Sequence, residues 1–319
     1  MLNIIKHFIK QNLISYMKTV VIALGGNAIL KAGQRGTILQ QTASLKKTVK
    51  AISKMIQQGW RVIITHGNGP QVGNILIQQE RGKRLVPMMP LDVCGAQSQG
   101  QIGYLIDREL ENQLRRDGIN KKVVPIVSEV LVDVKDKGFK NPTKPIGPYY
   151  SKKLLKYKMV KQKGKGWRRV VASPKPKKIM EINEIRDLIG KGRIVIACGG
   201  GGIPVIQKGK NMIGVEAVID KDATAQLLAK QVKANLLLIL TDIDYVYLNY
   251  LEKNQKKLKK VSVKDLRQYI KADQFPDGSM LPKIEACMDF VGKGRKAIIA
   301  SLDNASKAIN ERSGTIIYR

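Results

Sequence analysis

Short apolar runs alternate with amphipathic stretches along most of this 319-residue chain. Apolar runs of about five residues have the length of a buried strand, whereas apolar positions roughly three to four residues apart have the period of a helix. Strands and helices in alternation indicate an α/β protein with a mainly parallel sheet. The pattern predicts strands at 20–24, 61–65, 123–127, 193–198, 236–241, 297–300 and 315–318, and helices at 39–56, from about 71, at 92–116, 222–233, 263–270 and 281–291.

The alternation stops between residues 133 and 178, where Lys, Pro and Gly accumulate. Within it, 141–145 (Asn-Pro-Thr-Lys-Pro) and 147–148 (Gly-Pro) exclude a regular helix, because proline has no N–H group to donate. We therefore expect an excursion from the sheet. An insertion at the carboxyl edge of a sheet is well placed to act as a lid over a site.

The first residues, Met1 to Tyr16, form an amphipathic, basic stretch without an acidic residue. Such a stretch resembles a weak organelle-targeting segment, and an extension ahead of a start at Met17 explains it equally well. We expect the folded domain to begin at residue 18. The apolar runs at 194–198 and 236–240 are strand-sized and much shorter than the roughly 20 residues of a membrane span, so we expect a cytoplasmic protein.

The chain is strongly basic, with 57 Lys and Arg against 25 Asp and Glu and a formal net charge of +32. Clustered cations bind nucleic acid by releasing counterions, but no RNA-binding motif accompanies these lysines. A compositional bias with solvated lysines is the favoured interpretation, and polyanion binding remains the alternative. The three cysteines, Cys94, Cys198 and Cys287, lie in apolar surroundings and predict buried thiols in a reducing compartment.

Two glycine-rich turns each follow a predicted strand and precede a helix. Such turns present backbone N–H groups to anions, so two of them predict two anionic groups held face to face. The glycine–lysine spacing of a P-loop is absent, and a dinucleotide fingerprint is disfavoured because its third glycine is displaced. The only histidines, His7 and His66, cannot build a zinc site or a histidine triad. The turns contain Gly25, Gly26 and Asn27, and Gly67, Asn68 and Gly69.

Three lysines stand in non-repetitive settings: Lys144 in the insertion, Lys221 in Val-Ile-Asp-Lys-Asp, and Lys283 in Gly-Ser-Met-Leu-Pro-Lys. Phosphoryl transfer passes through a loose transition state whose charge is spread over oxygen atoms. Positioned cations and N–H groups therefore supply most of the catalysis without a strong base. Glycine turns and lysines together favour a phosphotransferase.

Seven sequence blocks carry a resemblance to a known family. They are 23–28 (ALGGNA), 65–73 (THGNGPQVG), 99–104 (QGQIGY), 141–148 (NPTKPIGP), 166–171 (GWRRVV), 199–205 (GGGGIPV) and 214–222 (GVEAVIDKD). Together they resemble carbamate kinase, a member of the amino acid kinase superfamily, and the resemblance runs from about Lys18 to the C-terminus. Ala23 lies two residues before the first Gly-Gly, where acetylglutamate kinase, aspartokinase and uridylate kinase usually carry a lysine. Leu281 looks more like acetylglutamate kinase, which remains the alternative within the superfamily.

The resemblance implies a three-layer α/β/α sandwich around a mainly parallel sheet, as one domain over 18–319 with a lid insertion at about 133–178. It implies reversible phosphoryl transfer between carbamoyl phosphate and ADP, with Mg²⁺, operated toward ATP in arginine catabolism. It also implies a homodimer, with no membrane or nucleic-acid partner.

Site residues follow from the same resemblance. Lys221 and Lys283 would flank the phosphoryl group in transit, and Asp222 would orient both lysines. Lys144 would approach carbamoyl phosphate from the lid. Gly25, Gly26, Asn27, Gly67, Asn68 and Gly69 would surround the phosphoryl group and the carbamate, and Thr241, Asp242 and Met280 would line the nucleotide pocket.

Overall fold

The computed structural model describes residues 17–319, apart from 32, 163, 165, 276–279 and 293. The amphipathic segment Met1–Tyr16 lies outside the described residues. The strands are β1 (Thr19–Leu24), β2 (Arg61–His66), β3 (Val123–Pro125), β4 (Glu129–Val132), β5 (Lys144–Tyr150), β6 (Met159–Gln162), β7 (Gly166–Val171), β8 (Pro176–Ile179), β9 (Ile194–Ile196), β10 (Ile203–Lys208), β11 (Asn211–Gly214), β12 (Leu236–Thr241), β13 (Val246–Leu248), β14 (Lys256–Leu258), β15 (Lys260–Ser262), β16 (Lys296–Ser301) and β17 (Thr315–Tyr318). The helices are α1 (Ile38–Gln57), α2 (Gly69–Gly82), α3 (Leu91–Arg116), α4 (Lys137–Lys140), α5 (Ile182–Gly190), α6 (Lys221–Gln231), α7 (Val263–Lys271), α8 (Leu281–Phe290) and α9 (Ala305–Ala308).

Eight strands form the central sheet, in the order β15-β17-β16-β12-β1-β2-β9-β3. Neighbours are parallel except for the antiparallel pair β16 and β17. The predicted three-layer α/β sandwich with a mainly parallel sheet is confirmed. Because parallel strands end at the same edge, the loops that follow β1, β2, β9 and β12 meet there.

The alternation of side chains along β1 builds the two halves of the core. Ile22 and Leu24 pack toward α1 and α3, whereas Val21 and Ala23 pack toward α5, α6 and α8. All four side chains have no exposed surface. Burial on both faces explains why the central strands read as continuous apolar runs in the sequence.

Sequence periodicity did not reveal several shorter elements. Helix α5 and the hairpin of β10 and β11 were not predicted, and β10 joins β4, β8 and β11 in a four-stranded sheet. Many positions of β10 and β11 are solvent-exposed, so these strands lack the apolar runs of the central sheet. The predicted strand 123–127 is shorter than expected and ends at Pro125.

Strands β5, β7 and β6 form a separate three-stranded antiparallel sheet, which we call the lid sheet. It lies against α2 at a contact between two glycines. A Cβ atom on Gly73 would lie 2.0 Å from the backbone nitrogen of Gly147. Only glycine at position 73 lets the backbones of α2 and β5 come this close.

A second contact, which we call the Glu80 clasp, joins α2 to the lid sheet. The Glu80 carboxylate accepts one hydrogen bond per oxygen, from Arg169 Nη1 at 2.7 Å and from the Tyr157 hydroxyl at 2.5 Å. The Arg169 guanidinium also lies 4.3 Å from the centre of the Tyr157 ring. Burial by itself would raise the pKa of Glu80, but these two donors lower it below its usual value.

In the described part of the chain, no helix is both long and apolar enough to cross a membrane. Cys94, Cys198 and Cys287 are free and buried, as the sequence predicted.

Candidate active site

The first glycine turn leaves β1 and passes directly over the end of β12. The Gly25 N–H donates to the carbonyl oxygen of Leu240 at 3.0 Å, and a Cβ atom on Gly25 would lie 2.8 Å from that oxygen. A single 3₁₀ turn, Gly26–Ala28, follows. Asn27 belongs to this turn, and its side chain lies outside the described part of the structure.

The second glycine turn leaves β2 and leads into α2. Asn68 precedes the helix, but its side chain does not cap it and instead donates to Ser98 Oγ at 2.8 Å. The first turn of α2 contains no acidic residue. Backbone N–H groups at this helix end therefore have no capping side chain, which is the arrangement that favours an anion.

The two turns are neighbours, because Leu24 and His66 pair in the register of β1 and β2. A third turn, Gly199–Gly201, packs against the second one. A Cβ atom on Gly200 would lie 2.1 Å from Asn68 Nδ2, so glycine is required at this contact. The structure thus brings three glycine turns together at the carboxyl edge of the sheet.

Lys221, Asp222 and Lys283 form a buried ion cluster beside these turns, which we call the Asp222 cluster. Lys221 Nζ donates to Asp222 Oδ1 at 2.7 Å, and Lys283 Nζ donates to Asp222 Oδ2 at 3.0 Å. The three side chains are 12%, 4% and 17% exposed, in sequence order. Helices α6 and α8 supply these residues, and a bond from Thr224 Oγ1 to the Gly201 carbonyl oxygen fixes α6 to the third glycine turn.

The electrostatics of the Asp222 cluster follow from burial and from an unequal charge count. Burial by itself would raise the pKa of Asp222, but the two ammonium groups hold it well below its usual range. Burial lowers the pKa of Lys221 despite its carboxylate partner. For Lys283, burial opposes the charge of Asp222, and the net effect is a raised pKa. Two cations against one carboxylate leave a surplus positive charge facing the glycine turns.

His66, at the end of β2, is fully buried beside this charge. Burial, with a smaller contribution from the charge of Lys221, lowers its pKa to about 4, against the opposing effect of its backbone hydrogen bond. The ring Nδ1 lies 3.1 Å from the Gly67 carbonyl oxygen, so the neutral ring donates its hydrogen there. His66 is a structural group that shapes the second glycine turn.

Lys144, the first residue of β5, contacts Asp220 and not the Asp222 cluster directly. Its Nζ donates to Asp220 Oδ2 at 2.5 Å, and the side chains are 25% and 31% exposed. Asp220 also caps α6, because its Oδ1 accepts from the N–H groups of Asp222 and Ala223 at 2.8 and 3.1 Å. The lid sheet is thereby connected to the helix that carries the Asp222 cluster.

Thr241 and Asp242 line a cavity of about 380 Å³ beside Gly25, between the ends of β12 and β16 and helix α1. Met280 is not among the residues that line this cavity, and it packs instead against the core below α8. The structure therefore places Thr241 and Asp242 together on this cavity.

Sequence reasoning missed two polar residues at the site. Asp220 had a signal, since an aspartate directly before a helix is the commonest kind of cap. Arg168 stands in the block at 166–171, but no role was assigned to it. Its guanidinium lies 3.4 Å from a Cβ atom built on Gly69 and donates to the Gly147 carbonyl oxygen at 2.9 Å. Only the folding of β7 against α2 places it there.

Comparisons with known proteins identify the family of this chain. A profile of the amino acid kinase family matches residues 18–301. The carbamate kinase of Thermococcus kodakarensis is 48% identical over 95% of this chain and 100% of its own length. The carbamate kinase of Latilactobacillus sakei is 46% identical over 95% of this chain and 99% of its own length.

Solved structures give the same result. Carbamate kinase from Giardia lamblia bound to AMP-PNP superposes with a TM-score of 0.87 and 39% identity, over 95% of this chain and 99% of that chain. The same enzyme bound to citric acid gives a TM-score of 0.90. The chain therefore belongs to the amino acid kinase family and, within it, to the carbamate kinases.

Proposed function

We propose that this chain transfers a phosphoryl group reversibly between carbamoyl phosphate and ADP, and that the phosphoryl group crosses between Lys221 and Lys283. The surplus positive charge of the Asp222 cluster beside the glycine turns carries this proposal. A loose phosphoryl-transfer transition state distributes negative charge over oxygen atoms, and fixed cations stabilise that charge without reorganisation. Asp222 would hold both lysine heads in place between turnovers.

No general base is needed for this reaction. In the direction that consumes ATP, carbamate attacks with an oxygen atom that is already anionic. The one histidine in the described chain, His66, is neutral, buried and hydrogen-bonded, so it would not take a proton. N–H groups at Gly26 and Gly69 would bind the oxygens of the substrates as the lysines neutralise the phosphoryl group. The N–H groups of Gly25 and Gly67 instead donate to the carbonyl oxygens of Leu240 and Leu24, which fixes the shape of the two turns.

For the nucleotide, we propose a position over the end of β12, where Thr241 and Asp242 line the 380 Å³ cavity. A relative solved with AMP-PNP supports a nucleotide site in this fold. The described residues contain no group of three or more metal-ligating side chains. That fits Mg²⁺ carried by the nucleotide, because Mg²⁺ usually takes phosphate oxygens and water with few protein ligands. When bound, Mg²⁺ would neutralise phosphate charge.

We further propose that residues 18–319 act as one cytoplasmic domain, with the insertion at about 133–178 as its lid. The chain should form a homodimer through the sheet edge at β3 and the long helix α3. Tyr104, which is 56% exposed on α3, supports a contact on that face. Light scattering should give twice the mass of the chain, and a monomeric mass would contradict the dimer.

The direct test is a coupled luciferase assay for ATP made from ADP, Mg²⁺ and carbamoyl phosphate. Wild type should produce ATP and Lys283→Ala should not. Lys296→Ala is the matched control, because Lys296 also pairs with a carboxylate, that of Glu311 at 2.6 Å, on the surface. Absence of ATP from folded wild type would refute the proposal, and acetylglutamate with ATP would be the next substrate pair to assay.

A further inference from the structure

Asp220 links two parts of the site, although it is not among the site residues predicted from the sequence. It lies directly before α6, whose first two residues are Lys221 and Asp222. Its carboxylate has two sets of partners. Oδ1 accepts from two backbone N–H groups of α6, and Oδ2 accepts from Lys144 Nζ. One side chain therefore fixes both the start of the helix and the position of the lid lysine.

Lys144 depends on this partner for electrostatic reasons. Its only ion pair with a described carboxylate is the one with Asp220. Both oxygens of Asp222 are already occupied by the other two lysines, which leave a surplus positive charge nearby. Without the Asp220 carboxylate, that charge would repel Lys144 from the site, because like charges in a partly buried region are weakly screened.

The pair also leaves Lys144 able to bind a substrate. An ammonium group has three N–H donors, and Asp220 accepts from one of them. The remaining donors suffice for oxygens of an anionic ligand. Lys144 can therefore keep its contact with Asp220 while it contacts the substrate.

We propose that Asp220 is a positioning residue that acts through Lys144: it holds the lysine in the closed position before carbamoyl phosphate binds. The inference rests on the proposed function of the site and adds a residue to it. It replaces the view that Asp220 is only a helix cap. A cap alone would affect stability, whereas a positioning residue affects how well the substrate is bound and converted.

The substitution Asp220→Asn separates these two roles. Asparagine caps helices about as well as aspartate does, so α6 keeps its start. When the amide oxygen caps the helix, the amide NH₂ faces Lys144 Nζ, and two donors then oppose each other. The matched control is Asp133→Asn, since Asp133 also accepts from a lysine, Lys177 at 2.6 Å, and from a backbone N–H at 2.9 Å, away from the site.

The expected results are specific. Asp220→Asn should lower kcat/KM for carbamoyl phosphate about 100-fold, as small misplacements of a substrate-binding group do, mainly through KM, at an unchanged melting temperature. In a Lys144→Ala background it should cost nothing further, because Asp220 would have no lysine left to position. Asp133→Asn should keep the kinetics of wild type. Asp220→Ser, which also caps helices but cannot reach Lys144, serves as a second variant should Asp220→Asn fail to fold.

Two outcomes would overturn the inference. One is a wild-type kcat/KM in Asp220→Asn. The other is an equal decrease in kcat/KM from that substitution whether or not Lys144 is present. Labelling by limiting acetic anhydride, read by peptide mass spectrometry, gives a measurement independent of activity. Lys144 should react faster in Asp220→Asn than in wild type, with Lys177 unchanged. If wild type makes no ATP, the proposed function fails, and equal labelling of Lys144 in both proteins would then reject the inference separately.

Discussion

The Asp222 cluster and the Glu80 clasp use the same device in two regions of the molecule. In each, one carboxylate accepts from two side chains, one on each oxygen. The partners of Asp222 are both cations, whereas Glu80 has one cation, Arg169, and one neutral phenol, Tyr157. The cluster therefore keeps a surplus positive charge, and the clasp is neutral.

This difference in net charge distinguishes a cluster suited to bind an anion from a contact that only joins α2 to the lid sheet. A neutral clasp is complete by itself, since each charge has its counter-charge. An overcharged cluster is completed only by an additional anion, which in this position would come from a substrate. Charge count therefore distinguishes the two more clearly than burial, because both lie at least partly inside the protein.

The largest effect is expected when the surplus charge of the Asp222 cluster is removed. Lys221→Ala leaves one lysine on Asp222, so the cluster becomes neutral like the clasp. Turnover should fall about 1000-fold, as for loss of a fixed group that stabilises transition-state charge. The coupled ATP assay measures this, with circular dichroism to show that the fold is intact. Near-normal turnover would remove Lys221 from the proposed chemistry.

His66 tests, through stability, how strongly burial beside the Asp222 cluster disfavours an additional positive charge. Its folded pKa of about 4 lies below the value of 6.5 for an unperturbed histidine, so the unfolded chain binds the proton more tightly. Stability should therefore fall as pH drops from 6.5 toward 4. Between pH 7 and 5 the loss amounts to about 2 kcal/mol.

Urea unfolding of wild type and His66→Gln at both pH values isolates this contribution. The variant has no imidazole to protonate. Its free energy of unfolding, relative to that of wild type, should therefore be about 2 kcal/mol higher at pH 5 than at pH 7. A constant difference between the two proteins across this range would show that His66 does not resist protonation.

The smallest effect is expected at the clasp. Glu80→Gln removes the charge but keeps a side chain that can accept hydrogen bonds, so KM should rise only about threefold and kcat should stay unchanged. Trypsin should cut the basic segment 151–158, which joins β5 to β6, faster than in wild type. Glu111→Gln, which removes another paired carboxylate, on α3, is the control. A loss as large as that of Lys221→Ala would erase the distinction between joint and site.

The Asp222 cluster and the Glu80 clasp also differ in how much of each could be predicted from the sequence. Lys221 and Lys283 could be singled out from the sequence, because each stands in a short motif next to a predicted helix. The place of Asp222 between them came only from the resemblance to carbamate kinase. The central strands could be predicted as well, since burial on both faces makes them continuous apolar runs. Short motifs and continuous apolar runs can be recognised in a single sequence without knowledge of the fold.

The clasp could not be predicted in the same way. Glu80 and Arg169 are 89 residues apart, and each looks like an ordinary charged residue on a solvated surface. Their contact exists only because the lid sheet packs on α2. Asp220 lies between these cases: its cap has a local signal, but its bond to Lys144 spans 76 residues.

The glycine contact between α2 and the lid sheet has a mechanical consequence. Gly73 and Glu80 lie on one face of α2, two turns or about 10 Å apart. The backbone contact at Gly73 has no side chain whose substitution could adjust it, so it fixes the distance between α2 and β5. The Glu80 clasp is made entirely by side chains, so exchanging one of them changes how firmly the lid sheet is held against α2. Sequence change can thus adjust the strength of this joint and leave the backbone contact in place.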